Sequence, residues 1–371
     1  MTLVVDARVD GPRIHVLAVG VGGYRYLPGG AGHDSSRETL GLRQLSGPPL
    51  SARAFVEFVT RRLRHPVAAL ATVELLLSPA QDWAGTPVDV PDTAHVVSAF
   101  DAWYARCDRS EDDVGLFFFC GHGVERESPF LLLEDFAADR KRLLDNAVDI
   151  SLTVRGMSAC AAGTQYFFVD ACRDVPHALL ERLNGTARVL VDLPPGGENR
   201  DCALLLATSG GNKAYGARGR PTRFTEALIG AWGGLGARQD GASWVVEFGG
   251  LQSAVTSLLR RTDPAAPRQL PQSFYVAGNA ALHVCDEPPT VSISLSCRPP
   301  SALADPGLTA SLTSFDSPDP LSLVAEGSGW RAEVPADLYR FEVVPQPPYR
   351  SGVQRIPAWP PFCDLPVSVL P

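Results

Sequence analysis

Residues 115–134 read GLFFFCGHGVERESPFLLLE, and residues 165–176 read QYFFVDACRDVP. Each stretch contains a continuous apolar run, which is typical of a strand buried on both faces of a parallel sheet. The first run stops at His122 between two glycines, and the second is followed closely by Cys172. Neighbouring parallel strands end at the same edge of a sheet, where ligands of open α/β folds bind. We therefore expect His122 and Cys172 to lie side by side at a functional edge.

The segments on either side of these stretches alternate between strand-like and helix-like patterns. Short apolar runs that end at turn residues occur in IHVLAVGVGG, VELLLSP, CALLLATSG and QSFYVAG. Amphipathic periodicity occurs in SARAFVEFVTRRLR, with Ser51 as the expected N-cap, and in DTAHVVSAFDAWYARC, RFTEALIGAWGGLG and FGGLQSAVTSLLRR. A polar helical segment is also expected between the two opening stretches. This alternation predicts an α/β fold with a mostly parallel, six-stranded sheet flanked by helices.

The composition changes near residues 286–289, which read DEPP. Beyond them proline is frequent, and apolar residues alternate with polar ones in TVSISLSC, WRAEVP and LYRFEVV. A period of two is typical of half-buried strands. We therefore predict an α/β domain over residues 1–285 and a small antiparallel, immunoglobulin-like β-sandwich over residues 286–371.

The composition argues against several classes of protein. The chain of 371 residues has a formal net charge of −8 and no block of Lys and Arg, so we expect no general nucleic-acid binding. No apolar run approaches the roughly 18 residues of a membrane-spanning helix, and the start MTLVVDARVDGPR lacks the features of a signal peptide. None of the eight cysteines forms a CxxC pair, which favours reduced thiols in a cytoplasmic protein. We expect no cofactor, no bound metal and no membrane partner.

A thiol beside an imidazole is suited to nucleophilic catalysis. The imidazole activates the thiol and later protonates the leaving group. A lone histidine in a loop often has only a structural role, but His122 lies at the carboxyl end of a predicted parallel strand, where ligand-binding sites of open α/β folds form. His177 is a rival base, five residues after Cys172. Its place after Pro176 in the outgoing loop favours His122 as the base.

The segments FFFCGHG and FFVDACR resemble the motifs of caspase-like cysteine peptidases of clan CD, family C14, specifically the bacterial relatives of metacaspases and paracaspases. A histidine about 50 residues before the cysteine agrees with this resemblance. The resemblance covers roughly residues 13–283 and implies the caspase–haemoglobinase fold. It further implies that His122 is the general acid and base, that Cys172 is the nucleophile, and that the amides of Gly123 and Cys172 form the oxyanion hole. It identifies no third member of a catalytic triad.

Asp170, two residues before the cysteine, is the residue that the resemblance links to specificity. In metacaspases an acid at this position lines a pocket for arginine or lysine at P1, the residue before the cleaved bond. A buried carboxylate needs a cationic partner, which a substrate guanidinium supplies. The alternative is that Asp170 caps the adjacent turn. The chain departs from metacaspases at Ser51, where they have a second acid, and at Cys120, where many have serine.

The segment between the fourth and fifth predicted strands corresponds to the linker that caspases cut during maturation. If P1 is basic, its candidate self-cleavage sites are Arg182, Arg188 and Arg200. The following glycine-rich stretch adds four basic residues, Lys213, Arg218, Arg220 and Arg223. The alternative for each is an ordinary exposed charge in a loop.

The resemblance implies a cysteine endopeptidase that cleaves protein substrates after arginine or lysine through a thioester acyl-enzyme. Bacterial members suggest a regulated, self-processing protease of defence or programmed cell death, with an activating protein partner and the oligomeric state left open. Two alternatives remain. One is a catalytically inactive caspase-like scaffold, although His122 and Cys172 are both present. The other is a hydrolase of non-peptide acyl substrates that uses the same dyad, which would need an enclosed apolar pocket.

Overall fold

The chain divides into two compact units. One comprises Met1–Ile229 and Leu259–Ala280, and the other comprises Gly230–Leu258 and Ala281–Pro371. The predicted domain boundary at residue 285 stays a prediction. The computed structural model describes residues 2–36, 39–173, 185–194, 201–209, 219–262, 269–274, 280–315, 317, 319–347 and 349–369.

The helices and strands of the described residues follow in this order along the chain. Up to residue 206 they are β1 (Leu3–Asp6), β2 (Arg13–Val21), α1 (Gly47–Arg61), β3 (Ala69–Ser78), β4 (Asp82–Trp83), β5 (Thr86–Pro87), α2 (Thr93–Cys107), β6 (Val114–Gly121), β7 (Gly123–Glu125), β8 (Pro129–Leu132), a 3-10 helix (Leu143–Asn146), β9 (Ala147–Asp149), α3 (Ile150–Met157), β10 (Thr164–Ala171) and β11 (Asp201–Leu206). The next elements are α4 (Arg223–Gly230), a π-helical turn (Ala231–Leu235), β12 (Ala237–Asp240), β13 (Ser243–Glu247), α5 (Phe248–Thr262), β14 (Gln272–Phe274) and β15 (Ala281–Cys285). The last elements are β16 (Thr290–Arg298), a 3-10 helix (Pro300–Ala304), β17 (Thr309–Ser314), β18 (Pro320–Leu321), β19 (Val324–Glu326), β20 (Gly329–Pro335), β21 (Asp337–Val344), β22 (Gly352–Ala358) and β23 (Phe362–Ser368).

The first unit is built on a sheet in the order β1-β3-β2-β6-β10-β11-β14. The five strands from β3 to β11 are parallel, whereas the edge strands β1 and β14 run antiparallel to their neighbours. All six predicted strands are present, but the described sheet has seven, so the predicted count is wrong. The added strand β1 is only four residues long and half-exposed, so its sequence carries little of the apolar pattern by which a strand is recognised.

The aromatic runs of β6 and β10 form the centre of this sheet. Successive side chains of a strand point to opposite faces, so three consecutive phenylalanines supply both faces. On one face, Phe55 of α1 stacks on Phe118 with ring centroids 4.5 Å apart. On the other face, Trp103 of α2 contacts Phe117 and Phe167. The two helices therefore cover opposite faces of the strands that end at His122 and Cys172.

Helix α1 begins earlier than its sequence pattern predicts. The helix starts at Gly47, after Ser46, and the expected N-cap Ser51 lies buried inside it. Proline lacks a backbone N–H, which the first helical turn does not need, so Pro48 and Pro49 fit the start of the helix. Helix α2 is capped by Asp92, whose side chain accepts a hydrogen bond from the amide of His95. Within the described part of the chain, no helix has the length and hydropathy to cross a membrane.

The part of the chain that connects β6 to β10 forms a second, small sheet, although its sequence indicates only a helical segment. Strands β7, β8 and β9 pair antiparallel, and the helix α3 follows them. Asp149 caps α3, because its side chain accepts from the amide of Leu152. Strand β7 starts at Gly123, so this small sheet begins directly after His122.

The second unit contains two four-stranded sheets, β19-β20-β16-β23 and β18-β17-β21-β22, and the three-stranded sheet β12-β13-β15. The residues that alternate in the sequence are buried as predicted, including Val291, Ile293 and Leu295. Trp330 of β20 contacts Phe341 of β21, so the two four-stranded sheets meet through these rings. Strand β16 pairs parallel with β23, which corrects the fully antiparallel arrangement that was predicted. The immunoglobulin-like assignment stays a prediction.

Candidate active site

The tips of β6 and β10 bring the two predicted catalytic residues together. These strands run parallel in a register that pairs Ala171 with Gly121, so the next residue of each chain is Cys172 and His122. Gly123 fits against this pair because it has no side chain. A Cβ atom at this position would lie 2.7 Å from the Cys172 carbonyl oxygen. Cys172 itself is half-buried.

The ring of His122 is oriented by a main-chain oxygen. Its Nε2 lies 2.7 Å from the carbonyl oxygen of Arg43. A carbonyl can only accept, so Nε2 carries the proton and Nδ1 of the neutral ring is the atom that can take one. The residue is 9% exposed, and burial lowers the pKa of His122 while the hydrogen bond to Arg43 opposes that shift. Because this pKa lies below its ordinary value, the His122 ring is neutral near pH 7.

Tyr24 fixes the backbone of the same histidine. The His122 amide donates to the Tyr24 hydroxyl at 2.7 Å, and the two rings lie 4.9 Å apart. Gln44 holds Tyr24 in turn, accepting from its amide at 2.6 Å and donating to its carbonyl at 2.9 Å. Tyr24, Arg43 and Gln44 come from the irregular chain between β2 and α1, where no periodicity points to them. The GYRY and LRQL segments offered no sequence signal for these roles.

Asp170 lies at the centre of a buried polar cluster below the strand tips. Its Oδ2 accepts from the hydroxyls of Thr222 and Thr225, the latter at 2.6 Å. Its Oδ1 is buried, with no hydrogen-bond partner among the residues that the structure describes. Asp170 is 2% exposed, and burial raises its pKa while the hydrogen bonds from Thr222 and Thr225 oppose that shift. Thr222 also accepts from the Thr225 amide and so caps α4.

Ser51 and Cys120, the two departures from metacaspases, belong to the same cluster. Ser51 accepts from the Thr222 amide at 3.0 Å, and the Cys120 thiol is buried beside Asp170, whose charge contributes to its pKa shift. Burial raises the pKa of the Cys120 thiol well above its ordinary value, so the thiol stays protonated. The described cluster thus contains one carboxyl group, that of Asp170. Ser51 stands at the position where the metacaspase pocket has a second acid.

A comparison with known families covers the segment that contains this site. The family model Peptidase_C14, the caspase domain, matches residues 43–273, more than half of the chain. The chain belongs to the C14 caspase-domain family. The matched segment includes Arg43, His122, Asp170 and Cys172. Membership of this family confirms the resemblance and supports a peptidase fold.

Individual relatives of this caspase domain are distant. The "Uncharacterized protein y4kE" of Sinorhizobium fredii (strain NBRC 101917 / NGR234) is 27% identical over 250 residues, which cover 62% of this chain and 71% of the relative. A match to the crystal structure of caspase-1 from Spodoptera frugiperda covers 74% of this chain and 94% of the caspase-1 chain. The sequence identity is 11% and the TM-score is 0.42. The family assignment rests on the family model alone.

The candidate self-cleavage residues of the caspase domain have different surroundings. Arg188 has an exposed side chain, but its amide donates to Ala147 and its carbonyl accepts from Asp149, each at 2.8 Å. Arg220 pairs with Glu226 at 3.0 Å. The other candidates fall outside the described residues or are paired in the fold. Arg182, Arg200, Lys213 and Arg218 lie outside the described residues, as does the rival base His177. Arg223 donates to the Leu259 carbonyl at 2.9 Å.

A cavity of about 700 Å³ lies beside the site, at the ends of β2 and β3. Its lining is mainly apolar or glycine and includes Tyr24 and Gln44, whereas His122 and Cys172 are not among the described residues that line it. It is therefore not the enclosed pocket that the acyl-hydrolase alternative needs around the dyad. No group of three or more His, Cys, Asp or Glu residues in the described part of the caspase domain could hold a metal ion.

Proposed function

We propose that the chain is a cysteine endopeptidase that cleaves protein substrates after arginine or lysine through a dyad of Cys172 and His122. The observation that carries the proposal is the hydrogen bond from His122 Nε2 to the Arg43 carbonyl. It leaves Nδ1 as the basic atom of a histidine that stands beside the cysteine at adjacent strand ends. This is the arrangement that a nucleophile and its base require.

In the proposed mechanism, His122 Nδ1 takes the proton of the Cys172 thiol, and the thiolate attacks the carbonyl carbon before the scissile bond. The amides of Gly123 and Cys172 donate to the oxyanion of the tetrahedral intermediate. The imidazolium then protonates the leaving amine, and a thioester remains on Cys172. The Arg43 carbonyl favours the imidazolium while it exists. Water, deprotonated by the neutral His122, hydrolyses the thioester and restores the thiol.

Asp170 is the proposed determinant of the basic P1 preference. A carboxylate that is 2% exposed is costly unless a cation or several donors accompany it. Thr222 and Thr225 bind one oxygen and leave Oδ1 without a partner among the described residues. The guanidinium or ammonium of a substrate would supply that partner. The absence of a second acid at Ser51 leaves this recognition to Asp170 within the described cluster.

Peptides with arginine, lysine or aspartate at P1 test the proposal. The wild type is expected to cleave after arginine and lysine, and Cys172→Ala to abolish cleavage while Cys285→Ala retains it. Asp170→Asn keeps an acceptor oxygen for Thr222 and Thr225 but removes the charge. We expect kcat/KM for the arginine peptide to fall about 100-fold in this variant, with Asp112→Asn, which removes an exposed carboxylate, as the control.

Three results would contradict the proposal. Turnover that survives Cys172→Ala contradicts the dyad. A preference for aspartate at P1, or an unchanged arginine preference in Asp170→Asn, contradicts the role of Asp170 in specificity and favours a purely structural role in the cluster with Thr222 and Thr225.

The remaining expectations follow from family resemblance and are part of the same proposal. They are a cytoplasmic protease of bacterial defence or programmed cell death, controlled by self-cleavage or an activating protein, with a C-terminal β-sandwich as an accessory domain. The masses of purified wild type and Cys172→Ala, compared after incubation, test self-cleavage directly. Fragments in the wild type alone support it, and an intact wild type under conditions of peptide turnover contradicts it.

A further inference from the structure

The residue after the proposed nucleophile has an extensive set of buried contacts. Arg173 is 7% exposed. Its Nη1 donates to the Thr208 carbonyl at 3.2 Å and to Gln272 Oε1 at 2.5 Å. Its Nη2 forms an ion pair with the carboxylate of Glu125. Its guanidinium also lies over the ring of Phe274, 5.9 Å from the centroid.

The ion pair joins the two segments that carry the proposed dyad. Glu125 ends β7, three residues beyond His122, and Arg173 is one residue beyond Cys172. The pair therefore closes a small loop between the histidine-bearing chain and the cysteine-bearing chain just past the strand ends. The same guanidinium reaches the end of β11 through Thr208 and the edge strand β14 through Gln272. The residue next to the thiol is thus tied to β7, to the segment after β11 and to β14.

Such a contact determines position more than it determines stability. Replacement of a buried ion pair by apolar residues of similar volume is often neutral or stabilising. Its distinctive property is directional geometry, because the planar guanidinium accepts only a few arrangements of its partners. A reacting pair that is misplaced by about 1 Å loses about 100-fold in rate. A rigid connection next to the cysteine therefore matters most for the rate of the chemical step.

We propose that Glu125 and Arg173 form a positioning pair that fixes the distance between His122 and Cys172. Neither is a catalytic residue, since both act through the chain segments that they join. The inference rests on the proposed function for its effect on turnover. The reactivity of the Cys172 thiol provides a second readout that needs no peptidase activity.

The test compares two double variants that each remove one buried Arg–Glu pair. Glu125→Met with Arg173→Met removes the positioning pair. Glu74→Met with Arg106→Met removes a pair between β3 and α2, distant in sequence from the strand tips, and serves as the matched control. The measurements are kcat and KM on an arginine peptide, alkylation of Cys172 by iodoacetamide followed by mass spectrometry, and thermal unfolding.

For the positioning pair we expect kcat about 100-fold lower, KM within about threefold of wild type, and slower alkylation of Cys172. For the control pair we expect all three quantities within about threefold of wild type. The proposal is overturned if the first variant keeps its kcat and alkylation rate, or if the control loses them equally.

Two further outcomes are distinguishable. If the first double variant does not fold, Glu125→Gln replaces it, with an expected loss of at least about tenfold in kcat, and a kcat within about threefold overturns the proposal. If the folded wild type cleaves none of the peptides, the proposed function fails. The positioning pair is then judged on alkylation alone, where a rate unchanged by the first double variant overturns it.

Discussion

His122 is held at two points by residues from one irregular loop. Its ring donates to the Arg43 carbonyl and its amide donates to the Tyr24 hydroxyl. Gln44 binds Tyr24 and is the residue after Arg43, so a single amide side chain connects both contacts. The loop between β2 and α1 therefore determines both the tautomer of the His122 ring and the position of its backbone. Its contribution is geometric, since neither contact removes or supplies a proton during the proposed reaction.

The residue-scale prediction concerns Tyr24→Phe. The phenylalanine keeps the aromatic contact with His122 but leaves the His122 amide buried without its acceptor, which costs about 1–3 kcal/mol of stability. We expect kcat to fall about tenfold, measured on an arginine peptide alongside urea unfolding. Tyr166→Phe, in the buried strand β10, is the control and should keep kcat. Equal kcat values for the two variants would contradict a role for the Tyr24 hydroxyl.

At the scale of elements, the segment 185–194 is held against β9 and α3 by a few specific contacts. Arg188 bridges to Val148 of β9 in parallel, with backbone hydrogen bonds on both sides. Leu190 donates to the Thr153 hydroxyl in α3, and the Val191 carbonyl packs so tightly on Gly156 that a Cβ there would lie 1.9 Å away. A scissile segment must present its backbone to the protease in an extended form. A segment already paired with β9 cannot do so without leaving its place.

The element-scale prediction is that self-cleavage, where it occurs, avoids Arg188. The N-terminal fragments of the wild type, measured by intact mass, should end at other basic residues of the linker, such as Arg182 or Arg200. Arg188→Ala should leave the fragment pattern unchanged because the backbone hydrogen bonds remain. A fragment that ends at Arg188 and disappears in Arg188→Ala would show that this segment detaches from β9 before cleavage.

At the scale of the whole molecule, buried histidines make stability depend on pH. His15 on β2 bonds to Thr72 at 2.8 Å and lies 3.9 Å from Asp113. Burial, with Arg106, Arg13 and Arg109 nearby, lowers the pKa of His15 to about 4. The pKa of His65 is also lowered by burial to about 4. In the unfolded chain these rings titrate near pH 6.5, so the unfolded state binds more protons between pH 4 and pH 6.5.

The prediction that follows is a loss of stability on acidification. Stability falls as the pH decreases through that window. The unfolded chain binds a proton on each of these histidines there, whereas the folded chain keeps the buried ring neutral, so acid favours the unfolded state. For His15 alone we expect about 2 kcal/mol between pH 7 and pH 5, measured by urea unfolding. His15→Asn should flatten the pH dependence by that amount, whereas His95→Asn, which changes a half-exposed histidine, should not. Identical slopes for the two variants would contradict the assignment.

The sequence predicts the parts of the molecule that follow a period. The runs that end at His122 and Cys172, the six strands expected in the central sheet, and the buried residues of β16 can all be predicted from apolar spacing. The short strand β1, the early start of α1 and the contacts of Tyr24 and Arg43 are not. They depend on main-chain groups and irregular loops, and such contacts leave no pattern of residue types. The partners of Asp170 were missed for a related reason, since Thr222 and Thr225 lie more than fifty residues away.

The hydrogen bond between His122 and Arg43 has a consequence for genetics. The acceptor belongs to the peptide group, so every amino acid at position 43 offers the same oxygen. A saturation mutagenesis survey scored by turnover would therefore class Arg43 as tolerant, although the oxygen that orients the base belongs to that residue. An amide-to-ester exchange between residues 43 and 44, made by semisynthesis, weakens that oxygen as an acceptor without altering any side chain. The hydrogen-bond acceptor of His122 can therefore be tested by changing the backbone chemically, whereas substitution of the Arg43 side chain does not remove it.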